Sequence, residues 1–205
     1  MSLKQIPSQV KANILHYLDG KSEDLSQQAQ EWIRQSQGLG MTRPKELYRG
    51  LFFEKGMKIN ADRFLKGAKP GEFVSFPQTT CSSWTSILGV ARRFALNSKE
   101  LIFPKMRKEF LAKVKPEDQP TGVVIAHVCT TDQVLLDVEA FSRLCGVVGK
   151  YGSEREYILY PQPSMTCRIL NIYTYDLLNK EIGSKTLWGN SSYLGRDINA
   201  EFVEG

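Results

Sequence analysis

Three short stretches of this 205-residue chain bring together side chains able to do chemistry. Leu47-Tyr48-Arg49-Gly50 sets a guanidinium inside an apolar, strand-like run, next to a residue with no side chain. An Arg in such a place needs an anion or several carbonyl oxygens as partner, and the Gly lets a ligand approach the backbone. An Arg on a strand can equally snorkel to the surface. Thr79-Thr80-Cys81-Ser82-Ser83-Trp84-Thr85-Ser86 lines up hydroxyls ahead of a helical segment. Hydroxyls there can cap the helix, pair across strands, or bind a sugar and a carboxylate. Glu154-Arg155-Glu156 opens the apolar strand Tyr157-Ile158-Leu159-Tyr160-Pro161. Period two predicts both carboxylates on one strand face, where they repel unless a site uses them. A solvated strand end accounts for the acidic pair as well.

Taken in this order, the three stretches resemble the mono-ADP-ribosyltransferases of the Arg-Ser-Glu class, over residues 44–178. Members of that family carry an Arg-Gly strand, a Ser-Thr-Ser element running into a helix, and a Glu-x-Glu ahead of an apolar strand and a Pro. Counting back from Ala91, the second element aligns with Ser83-Trp84-Thr85, so its middle position is Trp and its third is Thr. A register starting at Ser82 is the alternative. The Glu-x-Glu form is the one associated with transfer to arginine. Small stand-alone enzymes of this type occur in T-even-like phages and among bacterial toxins.

The resemblance implies NAD as the ADP-ribose donor, with no metal. Breaking the nicotinamide–ribose bond generates a cation-like sugar, as in glycoside cleavage. A carboxylate beside that charge stabilises the transition state more than the ground state. The resemblance gives this role to Glu156, with Ser83 orienting it and the ribose, and Thr85 among the NAD-binding residues. Arg49 suits the diphosphate, which a planar fork grips well, and the Gly50 backbone is expected to bond the nicotinamide amide. Glu154 is expected to orient a target guanidinium, which stays protonated in water, and to take its proton as the new bond forms. Residues 141–153, from Phe141 through Tyr151 to Ser153, are the expected substrate-facing loop, made mobile by Gly146, Gly149 and Gly152. Residues 98–121, with Phe103 and Phe110, read as a basic insertion lying near the NAD phosphates and nicotinamide, or as decoration.

The elements that must position these groups follow from periodicity. Ser8 is a candidate cap for a helix with Val10, Ile14 and Leu18 on one face, ending at Asp19-Gly20. Ser22 is a candidate cap for a second, with Leu25, Ala29, Trp32 and Ile33 inward, stopped by Gly38 and Gly40. Strand-like pieces follow: 46–53, 71–80, 121–130, 154–160 and 166–177. Asn60 is expected to cap a turn through Phe64. Ser86 is expected to cap a helix with Ile87, Val90, Ala91, Phe94 and Ala95 inward. The expectation is an α+β protein: an N-terminal helical lobe, 1–43, and a catalytic domain, 44–205, with two small packed β-sheets and flanking helices.

Composition agrees with a globular chain. Hydrophobic residues are 41% and charged residues 24%, which excludes wholesale disorder, a fibrous rod and a membrane bundle. The start, MSLKQIPSQVKANILHYLDG, has no apolar h-region, which predicts no signal peptide. Four scattered Cys without a CxxC pair predict neither a disulfide scaffold nor a zinc site, and fit a reducing cytoplasm. The formal charge of +5 is uneven, with +6 on residues 1–98. That basic half suits a phosphate-bearing co-substrate, a target protein that is acidic or nucleic-acid-associated, or a nucleic acid as alternative target. It is also what a solvated surface looks like. His127 reads as a packed strand residue, and Cys81 lacks a recognisable base for nucleophilic work. The expected function is arginine-directed, NAD-dependent mono-ADP-ribosyl transfer. The alternatives are the same fold acting on nucleic acid or hydrolysing NAD, and a catalytically inactive binding module.

Overall fold

The computed structural model describes residues 6–36, 39–53, 58–95, 121–147 and 154–173. The elements in order are α1 (Ser8–Leu18), α2 (Gln27–Gln35), β1 (Lys45–Phe53), α3 (Lys58–Leu65), β2 (Phe73–Gln78), β3 (Ser82–Thr85) and α4 (Leu88–Ala95). They are followed by β4 (Thr121–Cys129), β5 (Val134–Asp137), α5 (Val138–Cys145), β6 (Glu156–Leu159) and β7 (Gln162–Tyr173). The expected α/β mixture is present, but the strands form one seven-stranded sheet, in the order β2-β7-β4-β1-β3-β6-β5, and not two packed sheets. The β3–β6, β4–β7 and β5–β6 pairs are antiparallel. Within each unit it is helices, not a second sheet, that pack on the strands. No helix among the described residues is long and apolar enough to cross a membrane. The chain divides into two compact units: Met1–Glu46, Pro77–Ser86 and Val128–Pro163 make the first, and Leu47–Phe76, Ile87–His127 and Ser164–Gly205 the second.

The core of the first unit joins Val10 and Ile14 of α1, Leu25, and Ala29 and Ile33 of α2 to Cys81, Leu136, Phe141 and Ile158. Of the apolar stripes read from the sequence, Val10, Ile14, Leu25, Ala29 and Ile33 are buried, and Leu18 and Trp32 pack against them partly buried. The caps differ. Pro7 takes the N-cap of α1, its carbonyl accepting from Lys11 N–H at 2.9 Å, and Ser8 is the first helical residue. Ser26, not Ser22, caps α2, its hydroxyl accepting from Ala29 N–H at 3.2 Å. Residues 22–25 stay outside the helix because Asp24 Oδ1 accepts from the backbone N–H of Leu25 at 2.8 Å and of Cys81 at 3.1 Å. Asp24 thus ties the helical segment to the start of β3, a long-range bond that no local pattern announces. The helix ends at Gln35, with Ser36 at its C-cap, ahead of Gly38 and Gly40.

In the second unit, β1 is covered on both faces. Tyr48, Gly50 and Phe52 alternate onto one face, where Ala91 and Ala95 of α4 pack with Val124 and Tyr173. Phe53 lies on the other, its ring 5.9 Å from Phe64 of α3, which in turn meets Phe76 edge-on at 6.0 Å. Asn60 lies inside α3 rather than at its cap. Helix α4 begins at Leu88, with Ile87 O accepting from Val90 and Ala91 N–H, so Ser86 is not its cap. Phe94, expected inward, is 45% exposed beneath the Arg93 guanidinium, 5.2 Å from its ring centroid. Ala91 and Ala95 are buried as expected, and Gly89 joins them in the buried stripe of α4. Helix and sheet approach too closely there for a ring, for reasons that lie in Gly50 and Gly122.

Candidate active site

Strands β3 and β6 carry the hydroxyl run and the second acid. Their register sets Ser82 opposite Leu159, Ser83 opposite Ile158, Trp84 opposite Tyr157 and Thr85 opposite Glu156. Directly opposed residues share a face, and alternate residues along a strand return to it. Ser83, Thr85, Glu156 and Ile158 therefore stand on one face of the pair. Ser82, Trp84, Tyr157 and Leu159 stand on the other. Of the two registers open in the sequence, the one starting at Ser83 shares a face with Glu156. Ser82 serves the opposite face, where its Oγ accepts from Trp84 Nε1 at 2.9 Å. The helices cover the apolar end of the Glu156 face at Cys81 and Ile158, leaving Ser83 and Glu156 half-buried.

Glu154 is placed differently from what strand alternation predicts. Strand β6 starts at Glu156, Glu154 sits in a helical-type turn, and Arg155 between them has φ +46. A left-handed residue interrupts the period of two, so the strand does not set the direction of Glu154. Two bonds from the end of β3 hold the turn instead. Thr85 Oγ1 donates to the Glu154 carbonyl at 2.5 Å, and Ser86 N–H donates to the Arg155 carbonyl at 3.2 Å. The hydroxyl run and the acidic turn are thus one hydrogen-bonded piece, within the first unit.

Arg49 and Gly50 belong to β1 of the second unit. The Arg49 guanidinium carbon lies 5.7 Å from the centroid of the Phe76 ring, with the side chain half-buried. Consecutive strand residues point to opposite faces, so Gly50 lies on the α4 face and Arg49 on the other. Gly50 has a packing reason of its own: a Cβ there would fall 1.9 Å from the Ala91 carbonyl oxygen.

The remaining nucleophiles are quiet. Cys81 is 3% exposed, and burial, followed by the neighbouring Asp24, pushes its thiol up to about 12. Burial alone does the same for Cys167. Burial thus disfavours the thiolate, the reactive form, at both positions. His127 is half-buried rather than packed in the core, its Nδ1 lying 2.9 Å from the Thr166 carbonyl oxygen. Among the described residues no group of His, Cys, Asp and Glu could hold a metal ion.

Comparison of the chain with protein-family models, curated proteins and solved structures finds no match. The site therefore rests on its own geometry. Tyr151, Ser153, Gly149 and Gly152 of the expected substrate loop, and Phe103 and Phe110 of the 98–121 segment, lie outside the described residues. Phe141, counted in that loop, is a fully buried core residue of α5, and Gly146 is the left-handed C-cap of the same helix. Helix α5 and strand β5 are elements the strand and helix signals did not bring out. The pattern was present in Asp137, Glu139, Arg143 and Gly146: an N-cap acid, a first-turn acid, a basic residue one turn on, and a C-terminal Gly.

Proposed function

We propose that the chain is an NAD-dependent mono-ADP-ribosyltransferase that modifies arginine in a target protein and releases nicotinamide. The observation that carries this reading is the β3–β6 pair, which gathers Ser83, Thr85 and Glu156 on one face and hangs the Glu154 turn from Thr85. Hydroxyls beside a half-buried carboxylate are what a ribose and its developing cation require. Glu156 stabilises that cation, Ser83 orients the carboxylate and the ribose, and Glu154 meets the guanidinium. Arg49 is assigned to the diphosphate on its chemistry alone, as a cation able to bind it in a bidentate way.

Labelled NAD incubated with the protein and a bacterial lysate tests the reading. Protein-arginine transfer predicts label that survives nuclease, disappears with protease and is released by neutral hydroxylamine. Label lost to nuclease but resistant to protease would replace arginine with a nucleic-acid acceptor, which the +6 charge of residues 1–98 keeps in play. Free ADP-ribose with no labelled macromolecule would leave an NAD glycohydrolase.

The division of labour between the acids has its own test. Glu154→Gln keeps shape and hydrogen-bonding capacity but loses the base, so the ratio of arginine transfer to NAD hydrolysis is expected to fall roughly 10²-fold. Both rates measured on one preparation give that ratio. An unchanged ratio would return Glu154 to a structural role.

A further inference from the structure

Arg155 stands between the two acids in left-handed backbone, φ +46. Such backbone is unfavourable for a residue with a Cβ and persists only where its surroundings over-determine it. Two of those surroundings are the Thr85 hydroxyl, which donates to the Glu154 carbonyl, and the Ser86 N–H, which donates to the Arg155 carbonyl. The third comes from α5: Arg155 Nη1 donates to Glu139 Oε2 at 2.6 Å. The other oxygen, Oε1, accepts from Arg143 one turn further along the same helix.

Glu139 is well placed to act as a fixed point. It lies in the first turn of α5, where the Asp137 cap accepts from Glu139 N–H at 2.9 Å and Ala140 N–H at 3.1 Å. The helix is anchored by fully buried Val138 and Phe141. The bond from Arg143, and then Arg155, hold the Glu139 carboxyl below its usual range, so it is ionised at neutral pH. The Glu139 side chain is 25% exposed, and Arg155 is 56% exposed. An ion pair that open to water adds little to global stability. Geometry at a reacting group is far less forgiving, since a displacement of about 1 Å can cost ~10²-fold in rate.

We propose that Glu139 is a positioning residue: by holding Arg155 it sets the direction of the Glu154 carboxylate, and so how a target guanidinium is received. This inference rests on the transferase reading. The effect passes through Arg155 and therefore separates from any role of Glu139 in stability.

The test uses the full chain, labelled NAD and an arginine-containing peptide, with transfer and NAD hydrolysis measured side by side. Glu139→Gln is expected to lower the transfer-to-hydrolysis ratio roughly tenfold. Arg155→Gln should do the same, and the double variant should fall no further, because two residues acting through one contact are non-additive. Arg155→Lys should restore part of the ratio by restoring the charge. Amide exchange of Ser86 N–H, which donates to the Arg155 carbonyl, should quicken in Glu139→Gln while the thermal midpoint barely moves. Additive losses, equal loss of both rates, or an unchanged ratio in an active protein would overturn the positioning role and leave the transferase reading standing. A wild-type chain that cleaves no NAD would sink that reading, and this inference with it.

Discussion

Replacing Glu156 with Ala is expected to lower ADP-ribosyl transfer and NAD hydrolysis together, each by roughly 10²–10³-fold. In the proposed mechanism both reactions pass through the same cation-like sugar, so loss of a group that stabilises it is expected to slow both. Glu156 is half-buried at the entrance of β6, opposite Thr85 and followed by buried Tyr157 and Ile158. A carboxylate so placed keeps one side towards protein, where its charge acts with less screening than in water. The variant should remain folded, since its loss opens no cavity in the core; circular dichroism checks that point on the sample used for kinetics. Residual turnover within tenfold of wild type in either reaction would remove Glu156 from the chemistry.

The second large effect is on stability. Gly50→Ala is expected to cost about 3 kcal/mol, the upper end for overpacking, because the obstacle is backbone. The new Cβ would sit 1.9 Å from the Ala91 carbonyl oxygen, 2.5 Å from Ala95 N and 2.9 Å from Phe94 Cβ. Relief requires lifting α4 off β1, which also disturbs Ala95 above Gly122, where a Cβ would lie 2.1 Å from the Ala95 carbonyl oxygen. A side chain can rotate away from a clash, whereas a helix backbone can only move as a body. At ~2–4 °C per kcal/mol for a chain of this size, the midpoint should drop by about 6–12 °C. Gly40→Ala is the control: its added Cβ meets only the Val134 carbonyl oxygen at 3.8 Å, an ordinary contact. Thermal unfolding of the two variants side by side measures the difference. Equal midpoints would mean that α4 does not press on β1 as described.

Part of the site was legible because strand chemistry is local. β-Branched and aromatic runs mark β1, β2, β4 and β6, whereas the choice between Ser82 and Ser83 stayed open until the β3–β6 register set Ser83 and Thr85 on the face of Glu156. Glu156 at the head of an apolar strand belongs to the same class of signal. Glu154 does not. Its spacing from Glu156 suggests a shared face, and a single left-handed residue, Arg155, cancels that inference. Arginine is a poor marker of positive φ, so nothing in the residue types forewarns of it. Phe94 failed similarly: helical spacing puts it near the inward stripe, and the closeness of two glycines on other strands turns it out.

The amino-acid order by itself determined where apolar faces exist, which segments can be strands or helices, and which carboxylates, hydroxyls and guanidinium are available to the proposed chemistry. Those properties depend on side-chain chemistry and on periods of 2 and 3.6 residues, which act over one or two turns of chain. Only the tertiary structure decided that Thr85 faces Glu156, that Asp24 reaches Cys81, that Gly50 yields to Ala91, and that Glu139 holds Arg155. Each of these joins residues far apart in the chain. A long-range partner is selected by the packing of the surrounding elements, so its identity is not written in either neighbourhood alone.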